Sequence, residues 1–215
     1  MRNILVIGAG RFGSNLAKKL TELGNEVMVV DKDEASINEV TDHATRAQIG
    51  NCLDKDVLRA LGVRNFDICF VCISEDFQSS MEITSMLKEF GAAYVVSKAD
   101  RTLQAELLKK IGADEVVYPE RDMAHRTAVR YSTKGAFDYF ELSSEYAIFE
   151  ITPPKVWIGK NLRDLDIRTR HQVNVIGVKD QQSVTPILSA DHVFRENEHI
   201  IIAGEKESIL DMMNK

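Results

Sequence analysis

The chain has 215 residues, 44% of them apolar and 28% charged, with a formal net charge of −6. That length supplies one large domain or two modest ones, and the acidic balance gives no electrostatic case for nucleic acid. No apolar run approaches the roughly 20 residues that cross a bilayer. Met1-Arg2-Asn3 leads straight into an apolar segment with no signal-peptide layout, so a cytoplasmic protein is expected, one able to dock on a membrane protein.

Strand-like and helix-like segments alternate from the start. Ile4 to Ile7 run into Gly8-Ala-Gly10-Arg-Phe-Gly13, and an amphipathic stretch follows. This is the pattern of a strand, a glycine turn and a helix. Gly8 permits the turn, Gly10 lets the backbone approach a phosphate, and Gly13 allows close helix–strand packing. The periodicity predicts strands at 3–7, 26–30, 44–49, 68–73, 94–97 and 115–118. Helices are expected at 11–23, 33–42, 53–61, 76–90 and 101–111. Gly24, Gly62, Gly91 and Gly112 follow helices, and Asp33 and Asp100 stand where N-caps belong. Short strands rich in Val and Ile suit a parallel sheet covered on both faces. The leading expectation is therefore an α/β, Rossmann-like, doubly wound parallel sheet.

The pattern changes after Pro119. Met123, Ala124, Thr127, Ala128 and Tyr131 recur at helical steps and predict one longer helix over 120–134. Beyond Gly135, strands are expected at 137–142, 146–151, 173–178 and 199–203, a short helix at 161–164 and a closing helix at 206–213. A boundary at 134/135 divides the chain into an N-terminal domain, 1–134, and a small α+β C-terminal domain, 135–215.

The glycine turn alone is a weak signal, but it lies directly after a strand and opens a helix. Its acidic partner is present: Asp31 ends the second strand about 20 residues beyond the turn, where a carboxylate accepts from ribose hydroxyls. Asp31 favours a free ribose diol over a 2′-phosphate, a preference that Lys32 weakens without reversing. Arg11, followed by Phe12, sits at the mouth of the turn, where a guanidinium can meet a phosphate chain. Topology brings Asn51 and Cys52, after the third strand, to one side of the crevice. It brings Ile73 and Ser74, after the fourth, to the other. Lys98 ends the fifth strand on the same edge. Glu120 lies in the first turn of the helix that opens at Pro119, where a carboxylate suits the helix dipole.

Cys69-Phe-Val-Cys72 has the spacing of a redox pair, but the segment reads as a buried strand. Thiols three residues apart on a strand point to opposite faces, so these read as core residues. The five histidines, His43, His125, His171, His192 and His199, form no catalytic constellation, and no nucleophile-elbow or metalloprotease motif occurs. The expectation is that the chain is not an enzyme. A small NAD-dependent oxidoreductase and a Rossmann-type redox sensor remain as alternatives.

The chain resembles the RCK-domain (KTN) regulatory subunits of Ktr/Trk-type potassium-uptake systems. The residues that carry the resemblance are Val6-Ile-Gly-Ala-Gly-Arg-Phe-Gly13, Val30-Asp31, Leu61-Gly-Val-Arg-Asn-Phe-Asp67, Ile111-Gly-Ala-Asp114, Tyr118-Pro-Glu-Arg-Asp-Met123 and Ile158-Gly-Lys-Asn-Leu-Arg-Asp-Leu-Asp-Ile-Arg168. The similarity spans nearly the whole chain and follows the single-copy layout. It implies a Rossmann N-lobe, a crossover helix that pairs subunits, and a small C-lobe. It also implies a homodimer that assembles into an octameric ring beneath a membrane-embedded, KtrB/TrkH-like potassium-translocating subunit. ATP and ADP are the implied ligands, with NAD or NADH in some members and a divalent cation (Mg or Ca). By position, Gly8, Gly10 and Gly13 cradle phosphates, Asp31 holds the ribose, Arg11 reads the terminal phosphate, Lys98 lies near the phosphates, and Glu120 helps to hold the cation. Arg168 matches the arginine that contacts cyclic di-AMP in several relatives. The following stretch, 184–191, departs from theirs in its shorter spacing and its missing second proline.

Overall fold

The computed structural model describes residues 1–133, 135–180, 183–186 and 188–213. The chain forms two compact units, Met1–Arg121 and Asp122–Lys215.

The first unit alternates β1 (Asn3–Ile7), α1 (Arg11–Glu22), β2 (Glu26–Asp31), α2 (Glu34–Val40), β3 (Arg46–Ile49), α3 (Lys55–Leu61), β4 (Ile68–Val71), α4 (Phe77–Glu89), β5 (Val95–Lys98), α5 (Thr102–Lys110) and β6 (Glu115–Val117). The six strands form one parallel sheet in the order β3-β2-β1-β4-β5-β6. Strand pleating explains the two layers. Ile4 and Val6 of β1 pack with Ala17 of α1 and Ile37 of α2, whereas Leu5 and Ile7 pack with Leu58 of α3 and Leu87 of α4. Each such side chain contributes about 1.5–3 kcal/mol by leaving water. The strand order reverses between β1 and β4, and a doubly wound sheet opens its crevice at that point, at the carboxyl ends of the strands.

Local signals place most helix ends. Asp33, Asp54 and Asp76 cap α2, α3 and α4 by accepting from backbone N–H groups in the first turn. Two expectations need correction. The N-cap of α5 is Arg101, not Asp100, and the Gln104 side-chain oxygen accepts from the amides of both residues. The third strand starts at Arg46 rather than at residue 44, because a 3₁₀ turn over Thr41–His43 takes up the chain before it.

The helix α6 (Pro119–Ser132) carries the junction between the units. The compact units therefore meet at 121/122, whereas Lys134, at the boundary read from the sequence, lies outside the described residues. Side chains beyond the junction bind α6 to the second unit. Arg126 makes a bidentate pair with Asp138 (2.9 and 2.6 Å), and His125 meets Glu141 at 3.2 Å.

The second unit contains β7 (Ala136–Glu141), β8 (Tyr146–Ile151), α7 (Leu162–Leu165), α8 (Ile167–His171), β9 (Val173–Lys179), β10 (Val184–Thr185), β11 (His199–Glu205) and α9 (Lys206–Met213). Its antiparallel sheet has the order β10-β9-β11-β8-β7. Phe149, Ile151, Trp157, Phe194, Ile200, Ile202 and Ile209 fill its core. The short helix expected near 161–164 is α7, and a second short helix, α8, follows it beyond Asp166, which adopts φ 42° between them. The edge strand β10 has only two residues, too few for a periodic signal.

Candidate functional site

The carboxyl ends of the parallel strands enclose a cleft of about 800 Å3 lined entirely by the first unit. This lies within the roughly 300–1,000 Å3 span of small-molecule sites. Gly8, Gly10, Arg11 and Phe12 form one wall, with Asp31 and Lys32 beside them. Asn51 and Cys52 line the β3 side, Ile73 and Ser74 the β4 side, and Lys98 and Glu120 the far end.

The three glycines do different things. Gly8 turns the chain at φ 99°, a left-handed conformation. Gly13 is absent from the lining: a Cβ there would lie 1.9 Å from the Gly8 carbonyl oxygen, so its hydrogen lets α1 lie against β1. Gly10 has extended backbone, and a Cβ there would meet nothing within 4 Å. It opens α1 with no side-chain cap, unlike the Asp-capped α2, α3 and α4, and α1 has no acidic residue in its first turn. The first N–H groups of α1 thus have no side-chain cap, and the helix dipole adds positive potential there.

The turn is anchored from several directions. The Gly8 amide donates to Val30 O at 2.9 Å, and the Ser14 hydroxyl donates to Ala9 O at 2.6 Å. The Asp31 carboxylate accepts from the Ala9 amide at 2.6 Å and from the Asp33 amide at 2.9 Å.

Sequence reading places Lys98 and Glu120 on one edge but does not pair them. Lys98 is only 6% exposed, and its ammonium donates to Glu120 Oε1 at 2.5 Å and to Ser74 Oγ at 2.6 Å. Asp100 stands 3.7 Å away, and the Phe12 ring is 6.0 Å away. The hydrogen bond from Lys98 holds the Glu120 carboxyl below the usual carboxylate range. No short-range motif links positions 98 and 120, because β6 and its connections separate them.

Asp33, Ser36, Leu53, Glu75, Asp76 and Ser79 also line the cleft. Topology places Glu75 and Asp76, directly after the fourth strand, beside Ile73 and Ser74, and Asp33 precedes a helix; Ser36, Leu53 and Ser79 carry no sequence signal. The Ser79 hydroxyl and amide hold the Asp76 carboxyl low. The lining carries Asp31, Asp33, Glu75, Asp76 and Glu120 against Arg11, Lys32 and Lys98. An anionic ligand is therefore held by local donors, not by the charge of the cleft as a whole.

The cysteines are structural. Cys69 packs with Leu5 and Leu58 on one side of the sheet, and Cys72 packs with Ile4 and Val6 on the other. Burial pushes all three thiols, Cys52 included, up to about 12. A thiol reagent at pH 8 is expected to label none of the three within the time in which an unfolded control is labelled completely. Rapid native labelling of Cys52, counted by mass spectrometry, would show that the cleft opens more than this.

Arg168 lies in the second unit, in a smaller cleft of about 290 Å3 that also holds Arg163 and Asn174. Within the stretch 184–191, Ile187 lies outside the described residues. Among the described residues no three His, Cys, Asp or Glu side chains come together as a metal site, and no helix is long and apolar enough to cross a membrane.

A 3-2-1-4-5-6 parallel sheet, an uncapped glycine-opened first helix and an acidic end to β2 define a Rossmann-type nucleotide module. The TrkA-N domain model matches residues 4–119, and the TrkA-C domain model matches residues 146–215. Ktr system potassium uptake protein C of Bacillus subtilis (strain 168) is 39% identical over 208 residues, covering 97% of this chain and 94% of its own. Ktr system potassium uptake protein A of the same organism is 32% identical over 214 residues, covering 100% and 96%. Among solved structures, a GsuK channel bound to NAD aligns with a TM-score of 0.71 at 22% identity, over 99% of this chain and 39% of the channel chain. The chain belongs to the TrkA-N/TrkA-C family of RCK-type domain proteins, related to the Ktr and Trk potassium-uptake regulatory subunits. These domains are regulatory, non-catalytic nucleotide-binding modules.

Proposed function

We propose that this chain is a cytoplasmic, adenine-nucleotide-sensing regulatory subunit of a membrane potassium-uptake system. The observation that carries the proposal is the single cleft at the strand ends. It joins the uncapped α1 N-terminus, Asp31 and the buried Lys98, in a chain similar over nearly its whole length to two Ktr potassium uptake proteins. In this reading the amides from Gly10 onward and the Lys98 ammonium take the phosphates, and Asp31 takes the ribose diol. The NAD held by the similarly folded GsuK channel supports a dinucleotide-sized ligand, and NAD or NADH is a candidate beside ATP and ADP.

A nucleotide regulates only if it binds one assembly state better than another. ATP and ADP differ by one phosphate and its charge, and Arg11 at the cleft mouth is the group proposed to read that difference. Glu120 is a single carboxylate already held by Lys98. It fits a divalent cation only as one ligand among several, with nucleotide phosphates or a second subunit supplying the rest. The proposed assembly is a homodimer-based octameric ring under a KtrB/TrkH-like subunit, with α6 as the crossover element. Cyclic di-AMP is the candidate ligand for the Arg168 cleft.

The test is calorimetric titration of the purified protein with ATP, ADP, NAD and NADH, with and without magnesium. ATP binding strengthened by magnesium, with no turnover of NADH, is the expected outcome. NAD or NADH binding with no response to ATP would refute the ATP/ADP assignment. Arg11→Ala is expected to weaken ATP about tenfold and ADP less, the loss of one charged hydrogen-bond partner. Equal losses for both nucleotides would remove Arg11 from the terminal phosphate.

A further inference from the structure

The Asp31 carboxylate has both oxygens engaged before any ligand arrives. Oδ2 accepts from the Ala9 amide at 2.6 Å, and Oδ1 accepts from the Asp33 amide at 2.9 Å. Ala9 is the middle residue of Gly8-Ala9-Gly10 and is only 4% exposed, so its N–H has no access to water in place of the carboxylate. The flanking contacts complete a clamp. The Gly8 amide is tied to Val30 O, and the Asp31 carbonyl accepts from the Gly50 amide at 2.8 Å, so the carboxylate is carried by a strand end fixed on two sides. The next amides along the chain, from Gly10 into α1, have no side-chain cap.

From this arrangement we infer that Asp31 is a positioning residue for the phosphate cradle as well as a ribose acceptor. By holding the Ala9 N–H inward, it fixes the plane of the peptides that follow and aims the uncapped amides at the place where phosphate sits. The Ala9 N–H itself is spent on Asp31, so the cradle begins at Gly10. Each carboxylate oxygen accepts more than one hydrogen bond, so the clamp and a ribose diol are held together. The inference rests on the nucleotide-binding reading above. It also runs against simple electrostatics: a carboxylate beside a phosphate cradle repels the ligand, and on that account alone its removal tightens phosphate binding.

The experiment separates the accounts. Wild type, Asp31→Ala and Asp31→Asn are titrated with ATP and with 2′,3′-dideoxyadenosine triphosphate, which lacks the diol. Amide exchange at Ala9 is measured in the ligand-free proteins. The expected result is that Asp31→Ala still weakens the dideoxy ligand, by about five- to tenfold, the scale of one ordinary hydrogen bond. Ala9 exchange should accelerate while β1 amides keep their protection. Asp31→Asn, which keeps one acceptor oxygen, should lose less on the dideoxy ligand. A purely structural defect would speed exchange throughout β1 and lower Tm in proportion. Unchanged or tighter dideoxy binding in Asp31→Ala would overturn the inference, as would unchanged exchange at Ala9. If wild type bound neither ligand, the nucleotide reading itself would fail, and the exchange measurement would still decide whether the clamp exists.

Discussion

Gly13→Ala is expected to lower folding stability by about 3 kcal/mol, the upper range for overpacking a tight interior, whereas Gly10→Ala should leave stability within about 1 kcal/mol and weaken nucleotide binding about 100-fold. The two glycines stand three residues apart in one turn, yet the structure gives them opposite roles. A Cβ on Gly13 would lie 1.9 Å from the Gly8 carbonyl oxygen and 3.1 Å from its carbon. Both neighbours are backbone, and the Gly8 amide is itself bonded to β2. No side chain can swing aside, so α1 must move away from β1 and open the layer that buries Ala17, Ile4 and Val6. A loss of that size is a large share of the roughly 5–15 kcal/mol that holds a domain together, and it would show as a lower urea midpoint at unchanged slope.

Gly10 has φ −65° and ψ −178°, an extended backbone that alanine adopts without strain, and its Cβ would point into open space. That space is the mouth of the cleft, beside the uncapped amides. A methyl group there holds a phosphate off at least one charged hydrogen bond, each worth about 1.5–3 kcal/mol. Affinity is expected to fall about 100-fold in calorimetry with the melting curve almost unchanged. A Gly10→Ala protein that binds ATP like wild type would move the phosphates away from α1, and a Gly13→Ala protein of normal stability would disprove the contact.

Lys98→Met is expected to separate binding from folding just as sharply. The ammonium is buried, but its main ionic partner is not: the Glu120 side chain is 64% exposed and regains water when Lys98 is removed. Breaking an ion pair is costly when the charge left behind stays buried; here Glu120 is exposed, so Tm should move little. Nucleotide affinity should fall about 10- to 100-fold, in line with losing a hydrogen bond from a charged group. The loss should grow from AMP to ADP to ATP, because a buried cation is weakly screened and acts on each added phosphate charge. An equal loss for adenosine would put Lys98 away from the phosphates. A collapse of Tm would mean that the pair with Glu120 holds the unit together.

The Rossmann half was legible because its signals are local. The short apolar strands, the acidic cap before α2 and the glycine turn act over a few residues, and the parallel sheet follows from their alternation. The edges were less legible for physical reasons. Gln104 caps α5 from inside the helix, so Asp100 reads as the cap although Arg101 holds that place. Asp166 bends the chain at φ 42° without being glycine, which splits α7 from α8 where composition shows no break. The two residues of β10 are held by register with Lys179 and Val178, not by any pattern of their own.

The sequence alone determined the order of strands and helices in the first unit and the glycine turn with its acid at the end of β2, since each depends on residue type and short spacing. Only the tertiary structure decided that Asp31 grips the Ala9 amide and that Lys98 is buried against Glu120 and Ser74. Those facts depend on distances between segments far apart in the chain. Such distances are set by how the strands stack and twist into one sheet, and they leave no trace in local composition.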